Sequence, residues 1–554
     1  MYLKEESLEW VLKHFLKFGD NNIFPQSFEL DLIVEQWSKF KGDLLRTDIR
    51  QWNCFPQRRM LVPKSQFGFR PSTQLDLRDA FVYTGLVYEA GKELEESRIS
   101  EEARRVFSWR FNPTTGGEMY SEVGKQWKNF ESECRMLASK STFVVVADIA
   151  DFYPRLYHHP MENAISSASP LREHVQCIMR ILKQLSFLSS YGIPVGCTAS
   201  RLIAEVSLND VDQSLAITET DFCRYVDDFR IFANSEGEAR EKLFGLSKIL
   251  FENHGLTLNS SKTLILQSDD FISRFLLKHD VVARKELEEK VAVILENSSA
   301  WMEYPTSVSF DDLDEEEKRA LKRLNLRDLL EQELAKPSFD IGWVKFLIMA
   351  LSQIGDVDTV ELLLKNLGNL FPVISSIEIF LCNLKDLEND KLEEIGNRIL
   401  DQIILDPIID LEYYRMMLLS VFSKGKLIGS PTKLLAIYQN FSDQATRREI
   451  ILALGKAEQR HWFLSQRKDF DDLRPWEKRA FIWSSSCLNG DERKYWLQSV
   501  LSRMDNLECL ISKSKRIISK DTSTIFERDE GKKPIEVFES VRDEEIMSSD
   551  EEPF

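Results

Sequence analysis

Between residues 143 and 266 the spacing of apolar positions switches repeatedly between a period near two and one near four. Phe143-Val-Val-Val-Ala147 is a β-branched run suited to a buried strand. Over 171–188, Val175, Ile178, Met179, Leu182 and Leu185 fall on one face of a helix. Gly192 to Gly196, with Pro194 inside it, interrupts the pattern. Ser200 to Leu215 reads as another helix. Asp221–Val226 and Phe229–Ala233 read as two strands joined by a tight turn. Ser235 and Glu238 form a capping box for a helix that stops near Gly255. Leu256–Asn259 and Thr263–Leu266 return to strand. The order β, αα, β, β, α, β predicts an α+β unit close to a split βαβ, ferredoxin-like fold with one extra helix. In it, the strands at 143–147 and 221–226 are expected side by side.

From about residue 290 the pattern becomes a succession of amphipathic helices with short polar breaks. Examples are Trp343–Ile354, Val360–Leu367, Leu392–Ile404, Arg447–Gly455, Trp476–Leu488 and Glu492–Met504. Helix pairs of this size suit a HEAT-like α-solenoid, and an irregular helical domain fits them equally, since no strong period shows. The expected division is a helical extension over 1–50, an α+β catalytic part over 51–285, an all-α domain over 286–540 and a disordered acidic tail over 541–554.

The length of 554 residues requires more than one core. Lys and Arg number 72 against 90 Asp and Glu, a net charge of −18, which argues against coating nucleic acid through bulk positive charge. Residues 51–200 are the least acidic region, with 18 basic and 16 acidic side chains, so an anionic ligand is expected there. The eight cysteines show no CxxC spacing, which leaves a structural zinc site unsupported and suits a reducing compartment. No signal peptide and no membrane-spanning run is visible, so a cytoplasmic protein without a membrane partner is expected.

Three segments carry chemistry. Asp148 ends an apolar strand in Val146-Ala-Asp-Ile-Ala-Asp151-Phe-Tyr153-Pro154, and an aromatic follows five residues later. Gly192-Ile-Pro-Val-Gly196 leads to Ser200. Asp227 and Asp228 occupy the turn in Tyr225-Val-Asp-Asp-Phe229. Alone, the Asp pair would read as a solvated turn. Set beside Asp148, three clustered carboxylates repel one another and gain nothing in packing. Divalent cations resolve that conflict, and a pair of them about 3.5–4 Å apart serves phosphoryl transfer.

These segments resemble the motifs of reverse transcriptases: Asp148–Tyr153 their motif A, Gly192–Ser200 motif B, Tyr225–Asp228 the YxDD box and Leu256–Thr263 motif D. The resemblance covers roughly residues 55–270. It implies a right-hand polymerase with fingers and a ferredoxin-like palm. Asp148, Asp227 and Asp228 would be the catalytic carboxylates and, with the carbonyl of Ile149, would hold two Mg²⁺ ions, with Mn²⁺ as a substitute. Tyr153 would pack under the sugar, its ordinary alternative being a core aromatic. Lys262 would face the leaving pyrophosphate, its alternative being a solvated lysine. Arg58, Arg59, Lys64 and Arg70 resemble the basic fingers segment that grips a triphosphate, Arg70 above all. Gly196 and Ser200 complete the nucleotide-binding set.

Val195 and Arg201 replace the usual motif B glutamine and proline. With Phe152-Tyr-Pro-Arg-Leu-Tyr-His158-His159, these departures resemble the abortive-infection and defence-associated reverse transcriptases of bacteria. His158 and His159 themselves are expected to pack and hydrogen-bond beside the palm. The resemblance implies antiphage defence in a bacterial cytoplasm. It implies dNTPs as substrates and a single-stranded DNA product, in some members made without template and attached to a priming tyrosine. It also implies a homo-oligomer, trimer or hexamer. Two alternatives stay open: a templated enzyme that copies a partner noncoding RNA, and a non-catalytic helical-repeat sensor with a palm-like module.

Overall fold

A computed structural model describes residues 1–66, 68–186, 189–276, 287, 324–384, 387–405 and 411–514. The expected boundary at 285/286 and the acidic tail over 541–554 lie outside the described residues. The chain opens with α1 (Glu5–Phe18), α2 (Phe28–Glu35) and α3 (Trp37–Leu45). A hairpin of β1 (Arg58–Pro63) and β2 (Phe69–Gln74) follows, then the long α4 (Leu77–Glu96). α4 starts on an Asp76 cap that accepts from the Arg78 N–H, and most of its residues are buried.

The α+β part continues with α5 (Val123–Ala138), β3 (Phe143–Asp148), α6 (Phe152–Arg155), α7 (His158–Ala168) and α8 (Arg172–Leu185). Next come α9 (Thr198–Ser207), α10 (Asn209–Ile217), β4 (Phe222–Tyr225), β5 (Asp228–Ala233), α11 (Glu236–His254) and β6 (Leu264–Gln267). The sheet order is β4-β5-β3-β6, with every pair antiparallel. This is the strand arrangement of a split βαβ, ferredoxin-like sheet. Val144–Ala147 are fully or almost fully buried, as a β-branched run in a central strand requires.

Three expectations need correction. β3 lies beside β5, not β4, because β5 is inserted between them. The helix read over 200–215 is two helices, broken at Leu208. The strand expected over 256–259 is a loop that touches the sheet at one bridge, Leu258 with Ile149. The cap at Ser235 forms, with its hydroxyl accepting from the Glu238 N–H, and Gly255 closes α11 at φ +64°.

The C-terminal part is helical among its described residues. Helices at Ile341–Ile354, Ile374–Cys382, Glu412–Lys424, Gln444–Lys456, Pro475–Ser484 and Asn506–Lys513 each pack on the next of the series. Between them run helices at Thr359–Asn366, Asn389–Leu405, Pro431–Asn440, Arg460–Gln466 and Gly490–Val500. The result is a stack in which alternate helices are neighbours. This stack is fastened to the N-terminal part. Arg448 pairs with Glu29 at 2.7 Å, Arg479 pairs with Asp76, and Trp476 Nε1 donates to Pro56 O at 2.8 Å. No described helix is long and apolar enough to cross a membrane.

Candidate active site

β3 and β5 run antiparallel with Asp148 directly opposite Asp228. β4 and β5 are joined by a two-residue turn, Val226-Asp227, between the paired Tyr225 and Asp228. The three carboxylates therefore leave one corner of the sheet. The Ile149 N–H donates to Asp227 O at 3.2 Å, which ties the end of β3 to the turn. From the other side, the Asn259 N–H donates to Asp148 O at 2.7 Å and the Ala150 N–H to Thr257 O at 2.9 Å.

The electrostatics of this corner are unfavourable to bare carboxylates. Burial, then the charges of Asp148 and Asp228, hold the Asp227 carboxyl well above the usual carboxylate range. Burial raises Asp148 as well; Lys262 opposes that shift, Asp228 adds to it, and Lys64 opposes it. Lys262 Nζ lies 4.0 Å from Asp148 Oδ1. Lys64 sits exposed at the tip of the β1–β2 hairpin, within electrostatic reach of both Asp148 and Asp227.

Hard oxygen donors clustered against their own repulsion suit a divalent cation such as Mg²⁺. Among the described residues, no group of three or more His, Cys, Asp or Glu side chains is placed to hold a metal ion by itself. Asp228 Oδ1 accepts from Arg230 Nη1 at 2.9 Å, an ion pair the sequence did not announce. Asp148 and Asp227 remain the pair best placed to hold a cation.

The nucleotide-side residues divide. Tyr153 is half-buried and feels the charges of Arg201, Glu205 and Asp227, which sets it between the aspartate corner and α9; burial pushes its hydroxyl pKa well up. Gly196 has φ +100°, and a Cβ there would stand 3.0 Å from Ile23 Cδ1. His158 is buried, with Nε2 2.8 Å from Gly192 O, so it packs beside the palm and pins the glycine loop; His159 is exposed.

Ser200 does not face this space. It is fully buried, with its hydroxyl 3.3 Å from the Tyr83 hydroxyl, and joins α9 to α4. Arg58 is also withdrawn, buried with its guanidinium 4.4 Å over the Trp476 ring. Arg70 is half-buried on β2, and its charge reaches Tyr413 in the C-terminal part. The hairpin thus turns two of its expected triphosphate cations toward the helical stack and leaves Lys64 at its tip.

Sequence reasoning missed the groups beneath the turn: Arg98, Ser108, Glu205, Asp212 and Arg224. The available signal was a carboxylate and an arginine inside two apolar runs, Leu202-Ile-Ala-Glu-Val206 and Phe222-Cys-Arg-Tyr225.

Residues 44–286 match the family model described as reverse transcriptase (RNA-dependent DNA polymerase). The chain carries that domain and is an enzyme of the RNA-directed DNA polymerase type, a nucleotidyltransferase. Among solved structures, it is similar to telomerase from Candida albicans in complex with the TWJ fragment of telomeric RNA. The identity there is 12% and the TM-score 0.31, over 70% of this chain and 69% of that one. It is also similar to apo telomerase from Candida tropicalis, at 14% identity and a TM-score of 0.30, over 69% and 73%. No curated protein matches the chain.

Proposed function

We propose, from the reverse transcriptase domain over 44–286, that this protein is a DNA polymerase of antiphage defence that adds dNTPs to a growing strand without a template, priming from a tyrosine hydroxyl. The observation that carries the catalytic part is the convergence of Asp148, Asp227 and Asp228 at one corner of the sheet, with Lys262 4.0 Å from Asp148 and the charge of Lys64 within reach. Two bound Mg²⁺ ions, or Mn²⁺ in their place, would activate the attacking hydroxyl and neutralise phosphate charge. Asp148 and Asp227 would hold them, with the Ile149 carbonyl and, once released from Arg230, Asp228. Lys262 and Lys64 would orient the triphosphate as point charges. Tyr153 would pack against the sugar, and Gly196 would let the base approach the backbone closely.

The defence role rests on the resemblance of 152–159 and of the glycine loop to the bacterial defence enzymes. The net charge of −18 supports a short single strand over a long duplex. The alternating stack after residue 340 supports reading that part as HEAT-like, with a role in assembling a trimer or hexamer. A templated enzyme that copies a noncoding RNA is the second reading, favoured by the RNA-dependent family matched over 44–286.

The test is synthesis by purified, nuclease-treated protein with Mg²⁺ and labelled dNTPs, with neither primer nor template. Label that stays with the protein until proteolysis is the expected result. Asp227→Ala should lower incorporation by about three orders of magnitude or more, as expected when a ligand of the catalytic metal ions is removed. Product that appears only when RNA is restored would transfer the assignment to the templated reading. Incorporation unchanged in Asp227→Ala would remove this corner from the chemistry.

A further inference from the structure

Val226 is a β-branched residue at φ +55°, immediately before Asp227. That conformation is strained for any residue with a branched Cβ and persists only where the surroundings over-determine it. Here both backbone polar groups of Val226 are bound by side chains. Its N–H donates to Ser108 Oγ at 2.7 Å, and its carbonyl accepts from Arg224 Nη1 at 2.7 Å.

These two straps share one anchor. Ser108 Oγ donates to Glu205 Oε1 at 2.5 Å. Glu205 Oε2 is flanked by Arg98 Nη2 at 2.8 Å and Arg224 Nη1 at 3.1 Å. Asp212 holds the far edge of the Arg224 guanidinium at 2.7 and 2.5 Å. Arg98 also pairs with Glu95, and Glu95 with Arg110, both at 2.8 Å, so three carboxylates meet three guanidiniums in a neutral set. Ser108, Glu205 and Arg224 are wholly buried, so water does not compete for these bonds. Glu205 lies on α9, the helix that follows the Gly192–Gly196 loop. The glycine loop and the turn that presents Asp227 are therefore built on one polar node.

We propose that Ser108 and Glu205 are positioning residues that hold Val226 in its strained conformation and so fix the Asp227 carboxylate where it can bind a divalent cation. This rests on the polymerase reading only for its effect on turnover. Ser108 touches no reacting atom; it acts through the turn.

The experiment uses the full chain and the Ser108→Ala, Val226→Gly and Ser108→Ala/Val226→Gly variants. Mn²⁺ affinity is read from the free-ion electron paramagnetic resonance signal without nucleotide, alongside kcat and KM for dNTP. Loss of the strap should weaken Mn²⁺ binding about tenfold and lower kcat by a similar factor, with KM changed less than about twofold. Glycine adopts φ +55° without strain, so the double variant should recover most of the Mn²⁺ affinity. Wild-type Mn²⁺ affinity in Ser108→Ala, or a double variant no better than the single one, overturns the proposal. If Ser108→Ala alone does not fold, the Val226→Gly background decides: a further tenfold loss on adding Ser108→Ala overturns it, and a change under about twofold supports it. Wild-type protein that binds Mn²⁺ but incorporates no dNTP removes the polymerase reading and leaves this comparison intact.

Discussion

Asp227 is a carboxylate whose surroundings favour its proton. Burial and the neighbouring Asp148 and Asp228 raise its native pKa far above the unfolded value near 4. A native pKa above the unfolded one adds stability that is complete below the unfolded value and is lost as pH rises through the native one. Metal-free protein should therefore lose thermal stability as pH rises above about 4 on account of this residue. Asp227→Asn keeps the shape of the protonated form and should melt higher than wild type at pH 8 and at the same temperature near pH 4. On the proposed metal-binding role Mg²⁺ would take the ionised form, so it should raise the wild-type Tm more at pH 8 than at pH 6 and leave Asp227→Asn nearly unmoved. A Tm difference that does not vary with pH would refute the assignment. This corner was legible in the sequence because three like charges at strand ends have no packing rationale. Glu205 and Ser108 were not, because one polar residue in a helix or in a turn reads as surface until its partners, some 100 residues away, are known. Ser200 erred the other way: its place after the glycine loop suggested a ligand contact, and the rotation of α9 turned it to Tyr83 instead.

At the scale of elements, the hydrophobic period located strands and helices well but not their order in the sheet. Strands at 143–148, 222–225 and 228–233 are all mainly apolar, each with one or two charged residues, so nothing in their composition says which is central. The split βαβ topology does say it: the second strand of the hairpin, β5, slots beside β3, and that insertion sets Asp228 opposite Asp148. The loop at 192–196 shows how tightly elements meet around the site. Gly192 N–H donates to Leu156 O at 2.8 Å, and Thr73 N–H on β2 donates to Val195 O at 3.3 Å. Gly196 stands where palm, fingers and N-terminal segment converge, at a left-handed φ and with Ile23 3.0 Å from a would-be Cβ. Gly196→Ala combines backbone strain with a contact that Ile23 must relieve. It should cost about 1–2 kcal/mol, seen as a lower Tm, and raise KM for dNTP more than it lowers kcat. Ile23→Ala in the same chain should return part of the Tm, since it removes the obstructing methyl. A Gly196→Ala protein with unchanged Tm would mean that the loop relaxes freely.

For the molecule as a whole, the question is how the helical stack is coupled to the polymerase part. Its inner helices begin at residues 341, 374, 412, 444, 475 and 506, steps of 31 to 38 residues. An irregular step shared only through amphipathicity leaves no repeat for sequence reading to find, although the single helices were legible. The stack grips the N-terminal part through buried charge. Arg448 bridges Glu29 on α2 and Glu449 on its own helix, both at 2.7 Å, with all three side chains at most 4% exposed. Its guanidinium also lies 5.0 Å from the Phe28 ring centre and 5.5 Å from that of Trp476. Trp476 in turn covers Arg58 of the fingers hairpin, and Phe371 stacks on Phe69 at the hairpin's far end. Removing one partner of such a cluster leaves uncompensated buried charge, which costs about 3–5 kcal/mol. Arg448→Met should therefore lower the Tm of the full chain by several degrees and expose the joint between the two parts to proteolysis. Adding Glu29→Gln removes half of the stranded charge and should restore part of the loss, whereas Glu29→Gln alone should destabilise less than Arg448→Met. If Arg448→Met melts with the wild type, the buried pair does not fasten the stack, and the coupling must lie in the aromatic contacts around Trp476 and Phe371 instead.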